Sequence, residues 1–251
     1  ECASLSAQTP QKYPSYFIKG NDSGNAVDWY FEPHVAEEIF ADMLNETKST
    51  QYPVEVFLGE RLVENSGVVI DPADKGKDVV AVASEFGMKI EKILLTHGHF
   101  DHTGGVNDIK KLTDAAVFIH KEDECMLSDG NKALAYFCPT KKFVEKEADF
   151  TFGDGDEIVQ DGVVFKVMHT PGHSAGSSCF LVEADGENYM FAGDTIFKDS
   201  IGRSDGYSGD YIVQKETLEK LKALQKDYII LSGHGEATTL EEEKRYNPFL
   251  R

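Results

Sequence analysis

Ile93-Leu94-Leu95-Thr96-His97-Gly98-His99-Phe100-Asp101-His102-Thr103-Gly104-Gly105 runs an apolar strand-like segment into a glycine-rich turn that carries three imidazoles and a carboxylate. Neutral imidazole and carboxylate are the nitrogen and oxygen donors that zinc and similar divalent ions take. A strand end followed by such a turn converges these side chains on one point. Three later segments repeat the design, with an apolar run, then small residues, then one potential ligand. They are Val167-Met168-His169-Thr170-Pro171-Gly172-His173, Met190-Phe191-Ala192-Gly193-Asp194 and Ile230-Leu231-Ser232-Gly233-His234-Gly235. One histidine at a strand end is most often structural. Four such turns in one chain point to a metal site held at a sheet edge.

The bulk numbers fit this reading. A chain of 251 residues with 41% hydrophobic and 11% aromatic content can bury a large core. Lys+Arg of 25 against Asp+Glu of 44 gives a formal charge of −19. Such a surface repels phosphate backbones and anionic membranes, so nucleic acid is not expected as a partner. No apolar run reaches the length of a membrane span. Cys2, Cys125, Cys138 and Cys179 form no CxxC pair and read as ordinary thiols. The cytoplasm is favoured as the compartment. The small residues Cys2 to Ala7 and the acceptor patterns at Asn21 and Asn45 would suit an exported form.

Residues 1–50 read as an N-terminal extension packing on the rest. Their one helix places Val35, Ile39, Phe40, Met43 and Leu44 on an apolar stripe, and Trp29-Tyr30-Phe31 reads as core. From 51 to 251 the pattern alternates strand and helix. Strands are expected at Val54–Leu58, Val68–Ile70, Lys92–Thr96, Ala116–His120, Val163–Met168, Ser178–Glu183, Tyr189–Ala192 and Tyr228–Leu231, with a hairpin turn at Asp185-Gly186. Helices are expected around Val79–Phe86, from Gly105 to Leu112, at Lys121–Leu127, at Asp210–Leu224 and at Thr239–Arg245. Phe150–Asp156 reads as a turn region between two similar halves. The sum is a layered α/β sandwich.

His97-x-His99-x-Asp101-His102, with the later turns, Gly202-Arg203-Ser204-Asp205 and Asn247-Pro248-Phe249, resembles the metallo-β-lactamase-fold superfamily. Within it the chain looks most like the short glyoxalase II (hydroxyacylglutathione hydrolase) type. The resemblance implies a four-layer αββα sandwich with the site along one edge of two sheets. It implies a first metal on His97, His99 and His173, and a second on Asp101, His102 and His234. Asp194 would bridge them, and Asp101 would also orient the nucleophile. Zinc is the first expectation for both ions, with iron and manganese accommodated by the same donors.

The implied reaction is attack of a metal-bridging hydroxide on a small thioester or related acyl ester. Lactam-cleaving members typically lack a bridging aspartate, and one major class uses cysteine where this chain has none. Arg203 stands where glutathione-using relatives carry a basic substrate-holding residue, and Tyr207 beside it is a second pocket candidate. Pairing of Arg203 with Asp205 or Asp210 is the structural alternative. Only Glu236 to Arg251 follow the last ligand, too few for the helical domain that grips glutathione in full-length glyoxalase II. Alternative readings are a persulfide dioxygenase with one iron on His97, His173 and Asp194, and lactonase or β-lactamase activity. The sequence leaves the oligomeric state open.

Overall fold

Alternation of apolar side chains within single strands dictates the layering. Ile93 and Leu94 are neighbours in one strand, as are Val117 and Phe118 in another, and each pair feeds two different cores. The same holds for Cys179 and Phe180, and for Tyr189 and Met190. Successive side chains in a strand point to opposite faces, so these strands are buried on both sides. The computed structural model describes residues 66–251, apart from 86, 140 and 185. The expected N-terminal helix, the aromatic cluster at Trp29 and the strand at Val54–Leu58 lie outside the described residues.

The first sheet holds β1 (Ser66–Ile70), β2 (Lys89–Leu94), β3 (Ala116–His120) and β4 (Phe150–Phe152), all parallel and in that spatial order. Parallel neighbours need long crossovers. Here α1 (Gly76–Glu85) links β1 to β2, and the short α2 (Phe100–Thr103) with α3 (Val106–Thr113) links β2 to β3. Val79, Val80 and Ala83 of α1 and Val106 and Ile109 of α3 pack with Ile93, Val117 and Ile119.

The second sheet is built from β5 (Glu157–Gln160), β6 (Val163–His169), β7 (Ser178–Ala184), β8 (Glu187–Gly193), β9 (Ile229–Ser232) and β10 (Thr238–Thr239), in the order β10-β9-β8-β7-β6-β5. Leu218 and Leu221 of α4 (Tyr211–Ala223) and Leu240 of α5 (Leu240–Tyr246) pack with Cys179, Met190 and Ala192. Between the sheets lie Leu94, Phe165, Val167, Phe180, Val182 and Tyr189. The result is a helix-sheet-sheet-helix sandwich.

Topology brings the ligand-bearing turns to one edge. β6 runs antiparallel to β7, β7 antiparallel to β8, and β8 parallel to β9. The C-terminal ends of β6, β8 and β9 therefore point the same way. Ser178, at the start of β7, donates its backbone N–H to Thr96 O at 2.9 Å, which fastens the turn after β2 to that edge.

Most sequence expectations hold within a residue or two. Asp210 caps α4, its carboxylate accepting from the backbone N–H groups of Ile212 and Val213, and Thr239 caps α5. Ala184 pairs with Glu187 across the expected hairpin, with Gly186 at φ 84°. Two expectations are corrected. Lys121–Leu127 forms successive tight turns with a 3-10 segment at Glu124–Met126, because Asp123 turns fully inward to bond elsewhere. Phe150–Phe152 is a strand: Phe150 stacks on Phe118 at 4.9 Å, a long-range pairing that its exposed, Gly/Asp-flanked sequence does not announce. β5 was likewise unanticipated.

Phe180 is fully buried at the centre of the inter-sheet layer. Phe180→Ala should lower unfolding free energy by about 3–5 kcal/mol, read from urea denaturation curves.

Candidate metal centre

Each turn is held close by residues too small to intrude. A Cβ on Gly193, which adopts φ 47°, would lie 2.2 Å from Thr96 Oγ1. One on Gly233 would lie 2.4 Å from His102 Cε1 and 2.5 Å from Asp194 Oδ1. These positions let β8 and β9 deliver Asp194 and His234 against the turn that carries His97 to His102.

The seven residues nominated by the sequence converge in two groups. In the first, His173 Nε2 lies 3.3 Å from His97 Nε2 and 2.9 Å from His99 Nδ1, and all three side chains are buried. In the second, His234 Nε2 lies 3.3 Å from Asp101 Oδ2, and His102 Nε2 lies 3.3 Å from Asp194 Oδ1. Asp194 Oδ2 is 3.6 Å from both His173 Nε2 and His234 Nε2, so one carboxylate faces both groups.

Hydrogen bonds behind the rings fix which nitrogens face inward. His102 Nδ1 lies 2.9 Å from Asp71 Oδ2, and His173 Nδ1 lies 2.6 Å from Arg203 O. Carboxylate and carbonyl oxygens only accept, so both Nδ1 atoms carry the proton. Thr96 Oγ1 donates to Asp71 Oδ2 at 2.6 Å, leaving it to accept from His97 Nδ1 at 3.0 Å. Three Nε2 lone pairs thus point into the site. His102 Nε2 and Asp194 Oδ1 are buried and make no hydrogen bond.

The charge pattern agrees. Burial, reinforced by neighbouring histidines, pushes His97 well below its ordinary range and His99 to about 3, so both stay neutral donors. Burial opposes protonation of His102, but Asp194, Asp101 and Asp71 outweigh it and raise its pKa. Asp194 raises that of His234. Burial works against ionised Asp194, yet His234 and His102 hold it well below the usual carboxylate range. Crowded lone pairs, unbonded buried donor atoms and an ionised shared carboxylate fit a pair of divalent cations. Such ions take the place of protons on these groups.

Sequence reasoning missed two supporting carboxylates. Asp71, at φ 47°, accepts from His102, from Thr96 Oγ1 and from Thr96 N at 2.8 Å. Asp123 is fully buried and accepts from Gly176 N at 2.7 Å, Ser174 Oγ at 2.6 Å and Gly98 N at 3.2 Å. It clips the His97–His99 turn to the loop that follows His173. The Asp71-Pro72 strand end was visible in the sequence as a turn, but nothing local marked its role.

The substrate candidates lie at the rim. Arg203 bonds Asp205 through two nitrogens, at 2.6 and 2.9 Å, and its guanidinium sits 5.1 Å from the Phe137 ring centre. Tyr207 is partly exposed, with Oη 3.8 Å from Cys125 Sγ. His169 joins no ligand group. It stacks on His120 at 4.1 Å, and its Nε2 lies 2.8 Å from Ala175 O.

The sequence model of the metallo-β-lactamase superfamily matches residues 56–234. The chain belongs to that superfamily. Its members typically bind two divalent metal ions, and its relatives indicate an enzyme of the metallo-hydrolase type. The hydroxyacylglutathione hydrolase GloC of Haemophilus influenzae is 32% identical over 189 residues, covering 74% of this chain and 88% of that protein. Among solved structures, a B3 metallo-β-lactamase shares 29% identity at a TM-score of 0.69, over 74% of this chain and 90% of the other. A protein crystallised in a di-iron-bound form shares 32% identity at a TM-score of 0.64, over 72% and 88%. The mixed α/β architecture with two sheets is the superfamily's fold.

Two predictions follow from these contacts. Asp71→Asn, which disturbs the orientation of His102, should weaken metal retention by about 10–100-fold in competition with a chromophoric chelator. The second concerns His120, which burial beside His169 holds at about 4 against an ordinary 6.5. Its contribution to stability is fully present above pH 6.5 and is lost as pH falls toward 4. Melting temperature across that interval should fall more steeply for the natural protein than for His120→Phe.

Proposed function

We propose that this protein is a metal-dependent hydrolase of small thioesters, with related acyl esters as secondary substrates. The observation that carries the reading is Asp194, one carboxylate within 3.6 Å of histidines from both groups. His97, His99 and His173 would hold one divalent ion, and Asp101, His102 and His234 the other, with Asp194 shared between them. When bound, such a pair lowers the pKa of water and stabilises the negative charge that develops on an attacked carbonyl oxygen. Zinc is the first candidate, and the di-iron relative supports iron as a second.

The chain's own residues supply order. Asp71 and the Arg203 carbonyl hold His102 and His173 with fixed tautomers, so the donor atoms need no rearrangement during reaction. Asp101 is the carboxylate nearest the open side, with a quarter of its side chain exposed. There it can accept a hydrogen bond from the attacking water and hold it in line with the acyl carbon. Water oxygen forms the new bond to that carbon. The carbon–sulfur bond breaks with its electron pair leaving on sulfur, giving a carboxylic acid and a thiol. A thiolate leaves without a strong general acid, which suits an edge furnished with metal ligands. The similarity to the Haemophilus hydrolase supports this substrate class.

The test is thiol release from S-lactoylglutathione and neutral acyl thioesters, measured with a thiol-reactive dye alongside metal content. Chelator-sensitive release, two metal ions per chain, and loss of at least about 100-fold in kcat on Asp194→Ala are expected. One iron per chain with persulfide-dependent oxygen uptake, or faster cleavage of a chromogenic lactam than of any thioester, would overturn the reading.

A further inference from the structure

The chain carries a formal charge of −19, yet Lys141, Lys142 and Lys146 stand close together beside a cleft of about 240 Å³. Phe100 and Asp101 line the same cleft, so it opens directly alongside one of the candidate metal ligands. A lysine-rich cleft at that place in an acidic protein selects for negative charge by its local field.

The three lysines are not equivalent. Lys141 forms an ion pair with Asp74 on the cleft wall. Lys142 is exposed and makes no ion pair among the described residues. Lys146 is only 6% exposed. Its Nζ donates to Val144 O at 2.8 Å and sits 4.3 Å from the Phe143 ring centre, with no carboxylate partner among the described residues. Buried ammonium groups are ordinarily paired. Burial alone lowers this one to about 8, which leaves it charged at neutral pH and short of an anion. Arg203, by contrast, already has the Nε/Nη2 edge of its guanidinium on Asp205.

We propose that the cleft beside Asp101, with Lys142 and Lys146 as its cationic contacts, is a subsite for a carboxylate-bearing arm of the substrate. The proposal rests on the thioester reading, which puts the reacting carbonyl at the Asp194 edge and one substituent in this cleft. A lysine ammonium accepts a carboxylate as a compact point charge, and the apolar faces of Phe100 and Phe143 exclude water around it. Both the acyl group and the thiol can carry the carboxylate, and a charged probe for each side separates them.

The measurement is the ratio of kcat/KM for an anionic thioester to that for neutral S-acetyl-N-acetylcysteamine. S-lactoylglutathione carries its carboxylates on the thiol arm, and S-succinyl-N-acetylcysteamine carries one on the acyl arm. Lys142→Glu, on an exposed side chain, should lower the ratio about tenfold for the arm that enters the cleft. Lys146→Met should lower the same ratio. Ratios within about twofold of the natural protein for both probes in both variants would overturn the subsite while leaving thioester hydrolysis intact. If no thioester is cleaved, calorimetric titration with S-methylglutathione and with succinate reads the cleft alone. Binding that Lys142→Glu abolishes supports the subsite, and no binding of either ligand to the natural protein overturns it.

Discussion

A single carboxylate shared between two sets of imidazoles is the constraint on which the molecule is organised. Asp194 sits at the end of β8, with His102 on one oxygen and His173 and His234 on the other. Those histidines come from three separate turns. Bringing like lone pairs and an ionised carboxylate together in a buried place is unfavourable without compensating positive charge. The sandwich makes the arrangement affordable by fixing it with backbone and outer hydrogen bonds that do not depend on the ligands themselves.

Those outer bonds form a connected frame. Asp71 leaves β1 and bonds both Thr96 and His102, so the first sheet holds the front of the histidine turn. Asp123 reaches from beyond β3 and ties Gly98 to Ser174 and Gly176, so the back of that turn moves with the His173 loop. Farther out, the fully buried Asn247 donates to Phe197 O and Ser200 O, and Glu243 accepts from Asp199 N at 2.9 Å. The loop after Asp194 is thereby fastened to α5. Rigidity at the site comes from these polar clips, while the two-sided sheets supply the apolar burial that stabilises the whole.

The sequence disclosed the convergent residues because their signal is local: His97 to His102 lie in one turn, and each later ligand follows an apolar strand and a small residue. The layered α/β class was legible for the same reason, since two-faced strands read as continuous apolar runs. The frame was not legible. Asp71 and His102 are 31 residues apart, and Asp123 and Ser174 are 51 apart. An isolated aspartate in a polar stretch looks the same whether it meets solvent or three buried donors, as Asp123 does. Lys121–Leu127 read as helix because its pattern permits one, and the inward turn of Asp123 decides otherwise. β4 was lost because three residues cannot display a period, and its identity comes only from pairing with β3.

The same division separates chemistry from selection. Residues that would hold metal sit on strand ends and are fixed by both sheets, so their geometry tolerates little variation. Residues that would face an incoming substrate sit on connecting segments: Lys141 to Lys146 between β3 and β4, and Arg203 to Tyr207 between β8 and α4. Such segments can change charge without disturbing the strand ends. Arg203 shows the boundary between the two roles, since its carbonyl orients His173 while its guanidinium is held by Asp205. Its backbone belongs to the site and its side chain to the rim. Lys146 is the converse, a buried side chain on a connecting segment whose ammonium meets a backbone carbonyl and no carboxylate among the described residues. A protein with 19 excess negative charges would repel an anionic substrate over most of its surface. On the proposed reading, the cationic cleft beside Asp101 would give such a substrate a favourable approach, and with it a fixed orientation of the bond to be broken.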